Sequence, residues 1–220
     1  MFEIIVLHVA PELTQNEFDA LLPIVSPEKR ARVKKFRFFR DAQNCLLADV
    51  LARMEICRTT NFTNEQLRFS ANAYGKPYLA NSPGIHFNVS HTGNYVACAV
   101  SDEPVGIDIE QMRSTDLKVA ERFFTPDERT YISANTPTVS FYEVWTTKES
   151  RIKWEGRGLS KLLSSFSVFD PEADKQKQPI YHKIFQNNEV ICHICSTKQA
   201  APSVKIMDTA AFMYAAAKII

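Results

Sequence analysis

The sequence predicts an α+β fold, and two of its features point that way. Within each half of the 220-residue chain, helical and extended patterns are grouped instead of alternating regularly. Grouped elements favour a sheet with helices packed on one side over a doubly wound parallel sheet. Hydrophobic residues make up 45% of the chain and include 15 Phe, 7 Tyr and 2 Trp, which is enough for a large core. A predominantly disordered chain is therefore excluded.

The first half begins with an apolar strand and continues with helices. Residues 2–9 are predicted to form the strand. Thr14 and Glu17 have the spacing of a capping box, which predicts a short helix ending near residue 22. A serine followed by a proline at 26–27 is typical of a helix start, and the helical pattern then runs to about residue 57, with a break near residue 40.

The spacing of apolar residues changes to a period of two in the middle of the chain. Residues 86–89 and 95–100 are predicted to form the two strands of a hairpin, joined by a loop over residues 90–94. Residues 104–110 form a third extended run.

The second half combines two helices with a series of strands. Thr125 and Glu128 have capping-box spacing around a proline, so a helix begins there. A longer helix is predicted over residues 138–155 and ends at Gly156. The remaining segments are predicted as strands: 164–169, 180–185, 190–196, 203–207 and 210–217.

Charge and composition exclude several classes of function. The net charge is only +1, so no global field attracts nucleic acid or a membrane surface. No apolar run approaches the roughly 20 residues that span a bilayer, and the first segment, which has Glu3 and lacks basic residues, is expected to be a strand and not a signal peptide. The cysteines are scattered and odd in number, as expected for free thiols in a reducing cytoplasm. Cys192 and Cys195 would lie on opposite faces of one strand, which argues against a metal or redox pair.

The run from Val105 to Glu110 carries the most informative polar pattern. Its odd-numbered residues are apolar, so Gly106, Asp108 and Glu110 share the other face of the strand, with alternate Cα atoms about 6.5–7 Å apart. The two carboxylates are therefore able to converge on one cation such as Mg²⁺, and Gly106 leaves room for a bulky ligand. The same spacing also fits a strand with a solvated acidic face, and spacing alone does not choose between the two.

A second pair of charged residues lies on the helix predicted over residues 138–155. Glu149 and Lys153 are four residues apart and share one face. They form either a surface ion pair or a third carboxylate for the cation together with a lysine that neutralises phosphate. Lys148 falls within the apolar stripe of this helix, where it either extends its ammonium to the surface or points into a site.

Basic residues are concentrated between residues 28 and 40, where seven of thirteen residues are Lys or Arg and three are Phe. The segment fits a nucleic-acid patch, a solvated helix whose aromatic residues pack inward, or a few cations that hold a phosphate-rich small molecule. Further along, Lys76 lies in a rigid turn between two tyrosines, and Ser90 and His91 lie at the mouth of a loop.

Several motifs occur in a fixed order: YGKP around Lys76, FNVSH ending at His91, VGIDIE ending at Glu110, FFTPDE ending at Glu128, WTTKES from Trp145, then Lys153 and GRGL at 156–159. In this order they resemble the 4′-phosphopantetheinyl transferases of the surfactin-synthetase-activator type. The resemblance extends from residue 26 to residue 168 and weakens after about residue 170. Its most specific part is GIDIE at 106–110 followed by W-x-x-KES-x-x-K at 145–153.

The resemblance implies an enzyme that moves the phosphopantetheine arm of coenzyme A to a serine hydroxyl of a carrier protein and releases 3′,5′-ADP. It implies a pseudo-dimer of two similar α/β subdomains at residues 1–103 and 104–202, with coenzyme A in the cleft between them. Residues from roughly 203 to 220 would pack back on the first half. It also implies a cytoplasmic monomer that activates peptidyl- or acyl-carrier domains, as in nonribosomal peptide and antibiotic synthesis, without nucleic acid or membrane partners.

The resemblance also assigns roles to residues. Asp108, Glu110 and Glu149 would bind Mg²⁺ against the pyrophosphate. Glu149 would further act as the base for the serine proton, directly or through a metal-bound water, and Lys153 would pair with a phosphate. The nucleotide end would contact five residues: Lys29, Arg32, Lys76, Ser90 and His91. Cys45 stands where near relatives have a hydroxyl, and a thiol is a poor hydrogen-bond donor.

Two alternative functions stay open at this point. Another Mg²⁺-dependent phosphoryl or nucleotidyl transferase would use the same carboxylates, although the chain lacks the glycine-rich P-loop motif. A nucleic-acid-binding protein would rest on residues 28–40 alone. It would leave the acidic strand unexplained and would conflict with the near-neutral net charge.

Overall fold

The computed structural model describes residues 1–115, 118–158, 161–170 and 179–219. The motif residue Leu159 and the final residue Ile220 lie outside the described residues. The strands are β1 (Phe2–His8), β2 (Phe69–Ala71), β3 (Pro77–Leu79), β4 (His86–Thr92), β5 (Tyr95–Ser101), β6 (Gly106–Gln111), β7 (Ile180–Gln186), β8 (Val190–Ser196) and β9 (Ser203–Asp208). The helices are α1 (Gln15–Leu21), α2 (Pro27–Val33), α3 (Phe39–Thr59), α4 (Lys118–Phe123), α5 (Pro126–Ala134), α6 (Pro137–Glu155) and α7 (Thr209–Ala216).

The first half of the chain and its last strand form a four-stranded sheet in the order β4–β5–β1–β9. β1 pairs antiparallel with β5 and parallel with β9, so Ile4 lies opposite Ala99 on one side and Val204 on the other. The long helix α3 packs on one face of this sheet. α7 joins the same core through Phe212, which is completely buried. The C-terminal segment therefore returns to the first half, as the resemblance implies.

The second sheet has three antiparallel strands in the order β6–β8–β7. α6 packs on one of its faces, and the other face shares an apolar core with β1 and β5 of the first sheet. Along the junction of the sheets, the Ile107 N–H donates to Asn88 Oδ1 at 2.8 Å and the Gln111 N–H donates to Thr92 Oγ1 at 3.2 Å. Polar residues of β4 therefore lie beside the carboxylates of β6. The α+β class is confirmed, and the internal symmetry of the two halves stays a prediction.

Local signals at the helix ends behave as the sequence predicts. The capping box of Thr14 and Glu17 is present at the start of α1. At the start of α2, Ser26 Oγ accepts a hydrogen bond from the Lys29 N–H at 3.2 Å. α6 ends at Gly156, whose φ of +69° is in the left-handed region that favours glycine.

Two of the predicted strands are wrong. Residues 164–169 do not form a strand, because a short 3₁₀ turn at Leu163–Ser165 occupies the start of the segment. Residues 210–217 are helical in α7, which Asp208 caps by accepting from the Ala211 N–H at 2.8 Å. The run is rich in alanine, the strongest helix former, and short apolar runs do not distinguish a strand from a helix. None of the described helices, α7 included, is long and apolar enough to cross a membrane.

The cysteines are all free thiols. Cys192 lies in the core between the two sheets. Cys195, three residues along β8, is on the side of the strand that α6 covers. The two sulfurs thus lie on opposite faces, as predicted, and burial raises the pKa of both thiols.

Candidate active site

A cavity of ≈ 540 Å³ opens where β4 and β6 meet α3 and α6. Its wall includes Cys45 and Trp145. A neighbouring cavity of ≈ 760 Å³ shares two cationic residues with it and adds Arg53 and Arg68. The smaller cavity contains all but one of the residues predicted for the site: Lys29, Arg32, Ser90, His91, Asp108, Glu110, Glu149 and Lys153. Three carboxylates and a group of cations therefore share one cleft.

Asp108 is the most buried of the three carboxylates, with 3% of its surface exposed. Its Oδ1 atom accepts hydrogen bonds from Ser90 Oγ at 2.9 Å and from Lys153 Nζ at 2.7 Å. Its Oδ2 atom is buried and has no hydrogen-bond partner among the described residues. The solvated acidic face is therefore the wrong interpretation for Asp108. A buried carboxylate oxygen without a partner carries a desolvation penalty that a bound cation would remove.

The pKa values of Glu110 and Glu149 are both raised, and mainly by the same two causes. Burial, followed by the charge of Asp108, raises the pKa of Glu110 to about 7, although Thr92 Oγ1 donates to its Oε2 at 3.2 Å. Burial and Asp108 also raise the pKa of Glu149. Among the described residues, no three His, Cys, Asp or Glu side chains are close enough to hold a metal ion in this arrangement. Burial is the larger cause of the raised pKa in both cases, and the neighbouring Asp108 carboxylate adds to it, whereas Lys153 acts in the opposite direction.

Lys153 supplies the positive charge next to Asp108. Its Nζ donates to Ser90 Oγ at 2.8 Å as well as to Asp108 Oδ1. The lysine side chain is 28% exposed and the aspartate side chain 5%, so Lys153 forms the solvent-facing side of this ion pair. The four-residue spacing allows a surface ion pair between Glu149 and Lys153. Lys153 instead pairs with Asp108, so the ion pair joins α6 to β6.

Gly106 brings α6 close to β6. A Cβ atom at this position would lie 2.1 Å from Ser150 O and 2.2 Å from the Trp154 N atom, so only glycine fits. The prediction that Gly106 leaves room for a bulky ligand is therefore wrong, because the helix backbone fills that space. The close approach positions Glu149 and Lys153 over the polar face of β6.

Lys148 points neither to the surface nor into the cleft, contrary to both interpretations of its place in the apolar stripe. Its Nζ forms a completely buried ion pair with Glu128 Oε2 at 2.9 Å and donates to Leu163 O at 2.7 Å. Glu128 Oε1 in turn accepts from the Val168 N–H at 2.9 Å. The pair therefore fastens the segment after α6 to α5 and α6.

We expect Lys148→Met to destabilise the protein by about 3–5 kcal/mol, because it leaves the buried Glu128 without its charge partner. Chemical denaturation measures the loss. Lys183→Met is the matched control. The Lys183 side chain is 44% exposed, so its ion pair with Glu143 should contribute about 1 kcal/mol or less. Equal losses in the two variants would contradict a structural role for the buried pair.

Ser90 and His91 lie within β4, where each pairs with a residue of β5. The predicted loop over 90–94 is therefore too long, and the actual turn consists of Gly93 and Asn94. Strand geometry holds Ser90 over Asp108 and His91 in the wall of the cleft. Burial, and then the charge of Lys153, lowers the pKa of His91, so its imidazole is neutral near pH 7.

Lys76 is the predicted site residue that the smaller cavity does not include. Its Nζ donates to Val105 O at 2.9 Å and to Trp154 O at 3.3 Å, and burial lowers its pKa to about 8. The turn that carries it is also fastened to α6, because Asn72 Nδ2 donates to Gly156 O at 2.8 Å. A phosphate contact by Lys76 stays a prediction and would require its ammonium to leave these carbonyls.

The basic segment divides into α2, a short connection and the start of α3. Lys29 faces the cleft and pairs with Asp49 Oδ2 at 3.0 Å, and the exposed Arg32 lines both cavities. The interpretation in which the aromatic residues pack inward is wrong, because Phe36, Phe38 and Phe39 are all exposed. The helical pattern breaks between α2 and α3, so these rings do not share a buried face.

Comparisons with known proteins give matches to one family over most of the chain. A family model described as 4′-phosphopantetheinyl transferase, N-terminal, matches residues 11–103, and one described as the 4′-phosphopantetheinyl transferase superfamily matches residues 104–210. The chain is 43% identical over 159 residues to the 4′-phosphopantetheinyl transferase Sfp of Bacillus subtilis, which covers 71% of each protein. It is 34% identical over 218 residues to the 4′-phosphopantetheinyl transferase gsp of Aneurinibacillus migulanus, which covers 94% of this chain and 90% of that protein.

Carboxylates, a lysine and further cations around one cleft are the arrangement expected of an enzyme that transfers a phosphoryl group. The matches include strands of both sheets and the residues that line the cleft. The chain belongs to the 4′-phosphopantetheinyl transferase family, as the sequence motifs predict.

Proposed function

We propose that this chain transfers the 4′-phosphopantetheine group of coenzyme A to a serine hydroxyl of a carrier protein and releases 3′,5′-ADP. Membership of the family supports this reaction. The single observation that carries it is Asp108, a buried carboxylate with one oxygen that has no partner among the described residues, in a cleft that also holds a lysine and further cations. A basic surface alone, as a nucleic-acid-binding protein would present, does not require such a carboxylate.

The reaction exchanges one P–O bond for another. The serine oxygen attacks the phosphorus on the pantetheine side of the pyrophosphate, and the bond from that phosphorus to the bridging oxygen breaks. The bridging oxygen leaves with 3′,5′-ADP, and the serine proton passes to a base. Negative charge grows on the phosphate oxygens and the leaving group, so fixed positive charge in the cleft accelerates the step.

Asp108, Glu110 and Glu149 would hold Mg²⁺, and their donor chemistry fits this ion, although the three side chains would have to draw together to share it. All three donors are the hard oxygen ligands that Mg²⁺ prefers, and Asp108 Oδ2 is a buried carboxylate oxygen without a partner among the described residues. When bound, Mg²⁺ would neutralise charge on the pyrophosphate.

The remaining roles belong to side chains of the cleft. Ser90, His91, Lys29 and Arg32 would bind the nucleotide end, and Lys76 would join them at the 3′-phosphate. Lys153 would pair with a phosphate at the reacting centre. Glu149 would accept the serine proton, directly or through a water molecule, since its raised pKa makes it a stronger base than an ordinary glutamate.

We extend the proposal to the organisation of the protein. The subdomains would comprise residues 1–103, together with about 203–220, and residues 104–202. The change from the first sheet at β5 to the second sheet at β6 supports this boundary. The chain would act as a monomer in the cytoplasm on peptidyl- or acyl-carrier domains, with no role for nucleic acid or a membrane.

Dephospho-coenzyme A, which lacks the 3′-phosphate, is expected to bind more weakly than coenzyme A. The cleft holds more cations than the pyrophosphate needs, and a charge-assisted hydrogen bond contributes about 1.5–3 kcal/mol, or roughly 10- to 150-fold in affinity. Calorimetric titrations of both ligands measure the difference. Equal affinities would mean that none of the four residues Lys29, Arg32, Lys76 and His91 contacts the 3′-phosphate.

The role of the metal is tested by following 3′,5′-ADP release from coenzyme A in the presence of a carrier domain. We expect a chelator to stop the release and added Mg²⁺ to restore it. Release at the same rate in the presence of the chelator would overturn the assignment of Asp108, Glu110 and Glu149 as metal ligands, whereas transfer itself would stand.

A further inference from the structure

Lys153 supplies the positive charge beside Asp108 that a metal ion would otherwise supply. Its ammonium lies 2.7 Å from Asp108 Oδ1 and also donates to Ser90 Oγ at 2.8 Å. The ligand-free cleft thus neutralises its most buried carboxylate with a residue of its own. An Mg²⁺ ion next to this ammonium would be repelled over a short distance, in surroundings that screen charge poorly.

Two other cations near the cleft are committed elsewhere. Lys29 pairs with Asp49, and Lys76 donates to two backbone carbonyls. Among the described residues, Lys153 is the one cationic side chain in an ion pair with Asp108. Removing Lys153 would therefore leave Asp108 without a counter-ion, and removing Lys29 would not.

The two partners of this ion pair differ in their freedom to move. Asp108 is fixed in the middle of β6, between β4 and α6, and its side chain is 5% exposed. Lys153 extends from α6 on a flexible side chain that is 28% exposed at the edge of the cleft. Lys153 is therefore the partner that can leave.

We propose that Lys153 is an internal counter-ion that keeps divalent metal off Asp108 until coenzyme A arrives. The incoming pyrophosphate offers the ammonium a new partner, Lys153 moves to a phosphate oxygen, and Asp108 becomes available to the metal. This inference rests on the proposed function, because it takes coenzyme A and a divalent metal as ligands. Metal and coenzyme A would then bind cooperatively, and each would raise the affinity for the other by the same factor.

Binding of Mn²⁺, followed by electron paramagnetic resonance, tests the inference without catalysis. The titrations are made with and without coenzyme A, with no carrier domain present, and coenzyme A without protein corrects for metal bound by the free ligand. The wild type is compared with Lys153→Met, with Lys153→Arg, which keeps the charge, and with Lys29→Met, which removes one cation from the same cleft. Thermal melting establishes that each variant is folded.

In the wild type, we expect coenzyme A to raise the Mn²⁺ affinity at least about tenfold, which corresponds to about 1.4 kcal/mol. Lys153→Met should bind Mn²⁺ alone at least about tenfold more tightly than the wild type, and the effect of coenzyme A should shrink accordingly. Lys153→Arg and Lys29→Met should bind Mn²⁺ alone no more tightly than the wild type.

Two results would overturn the inference. One is a Lys153→Met variant that binds Mn²⁺ alone no more tightly than the wild type. The other is a Lys29→Met variant whose affinity for Mn²⁺ alone rises as much as that of Lys153→Met, because this would reveal a general effect of charge in the cleft. If either occurs while the wild type still transfers phosphopantetheine with Mg²⁺, the inference fails and the proposed function stands. If Mn²⁺ binds no variant even with coenzyme A, the inference and the metal assignment fail together.

Discussion

Replacing Asp108 with alanine is expected to lower the transfer rate by about 10²–10³-fold or more, because the change removes a charge aimed at the reacting phosphates and their cation. The protein should stay folded. Removing the carboxylate loses the hydrogen bonds that Oδ1 accepts from Ser90 and Lys153, but it also removes the penalty of the buried Oδ2 atom, which has no partner among the described residues. Lys153 is partly exposed, and water can solvate its ammonium once Asp108 is gone. We expect the free energy of unfolding to change by less than about 2 kcal/mol.

Activity and unfolding are measured side by side for this variant and for a control. Asp19→Ala suits the control, because Asp19 is exposed on α1 and contacts Gln15 only through an exposed hydrogen bond of 3.1 Å. The control should keep its activity and its stability within about 0.5 kcal/mol. Transfer near the wild-type rate in Asp108→Ala would show that this carboxylate does not hold the metal.

Glu149→Gln is expected to reduce turnover by about 10²–10⁴-fold, the usual contribution of a general base. Coenzyme A should still bind, because Lys153 and the cations of the cleft are unchanged. Asp108 and Glu110 come from one strand and supply the two carboxylates that Mg²⁺ commonly takes from a protein. Glu149 comes from α6, across the cleft, and is free to face the incoming serine.

A titration of turnover with Mg²⁺ separates the two roles of Glu149. If Glu149 is mainly a base, excess Mg²⁺ should restore at most part of the rate in Glu149→Gln. The pH dependence gives an independent measure. Burial and Asp108 raise the pKa of Glu149, so the wild-type rate should fall as the pH drops through that raised value and the base becomes protonated. Full recovery at high Mg²⁺, with the acidic limb unchanged, would leave Glu149 as a ligand only.

The parts of the site that the sequence predicts are those fixed by backbone geometry. Alternation along 105–110 correctly places Asp108 and Glu110 on the face opposite Ile107 and Ile109. A separation of four residues correctly places Glu149 and Lys153 on one side of α6. The repeat of side-chain directions depends only on whether the segment is a strand or a helix. It therefore holds regardless of which element packs against that segment.

The parts that sequence reasoning misses depend on which element packs where. The sequence predicts that Gly106 leaves room for a bulky ligand, and only the position of α6 reveals that it faces the Ser150 and Trp154 backbone. Lys148 and Lys76 end four methylenes from their backbones, so their partners follow from tertiary packing and not from their own positions. A lysine inside an apolar helical stripe, as at position 148, is nevertheless a signal of a buried ion pair that is worth searching for. The cleft residue Trp145 fits the apolar stripe of α6 equally well, so no sequence pattern marks it as part of the wall.

Attachment of phosphopantetheine to a carrier serine is tested most directly by the mass of the carrier. An apo carrier domain is incubated with the protein, coenzyme A and Mg²⁺, and its intact mass and modified residue are determined by mass spectrometry. A carrier whose acceptor serine is replaced by alanine serves as the control. We expect a gain of one phosphopantetheine on the serine, one 3′,5′-ADP released per carrier modified, and no gain in the control. A carrier that keeps its mass, although another 4′-phosphopantetheinyl transferase modifies it under the same conditions, would contradict the proposed function.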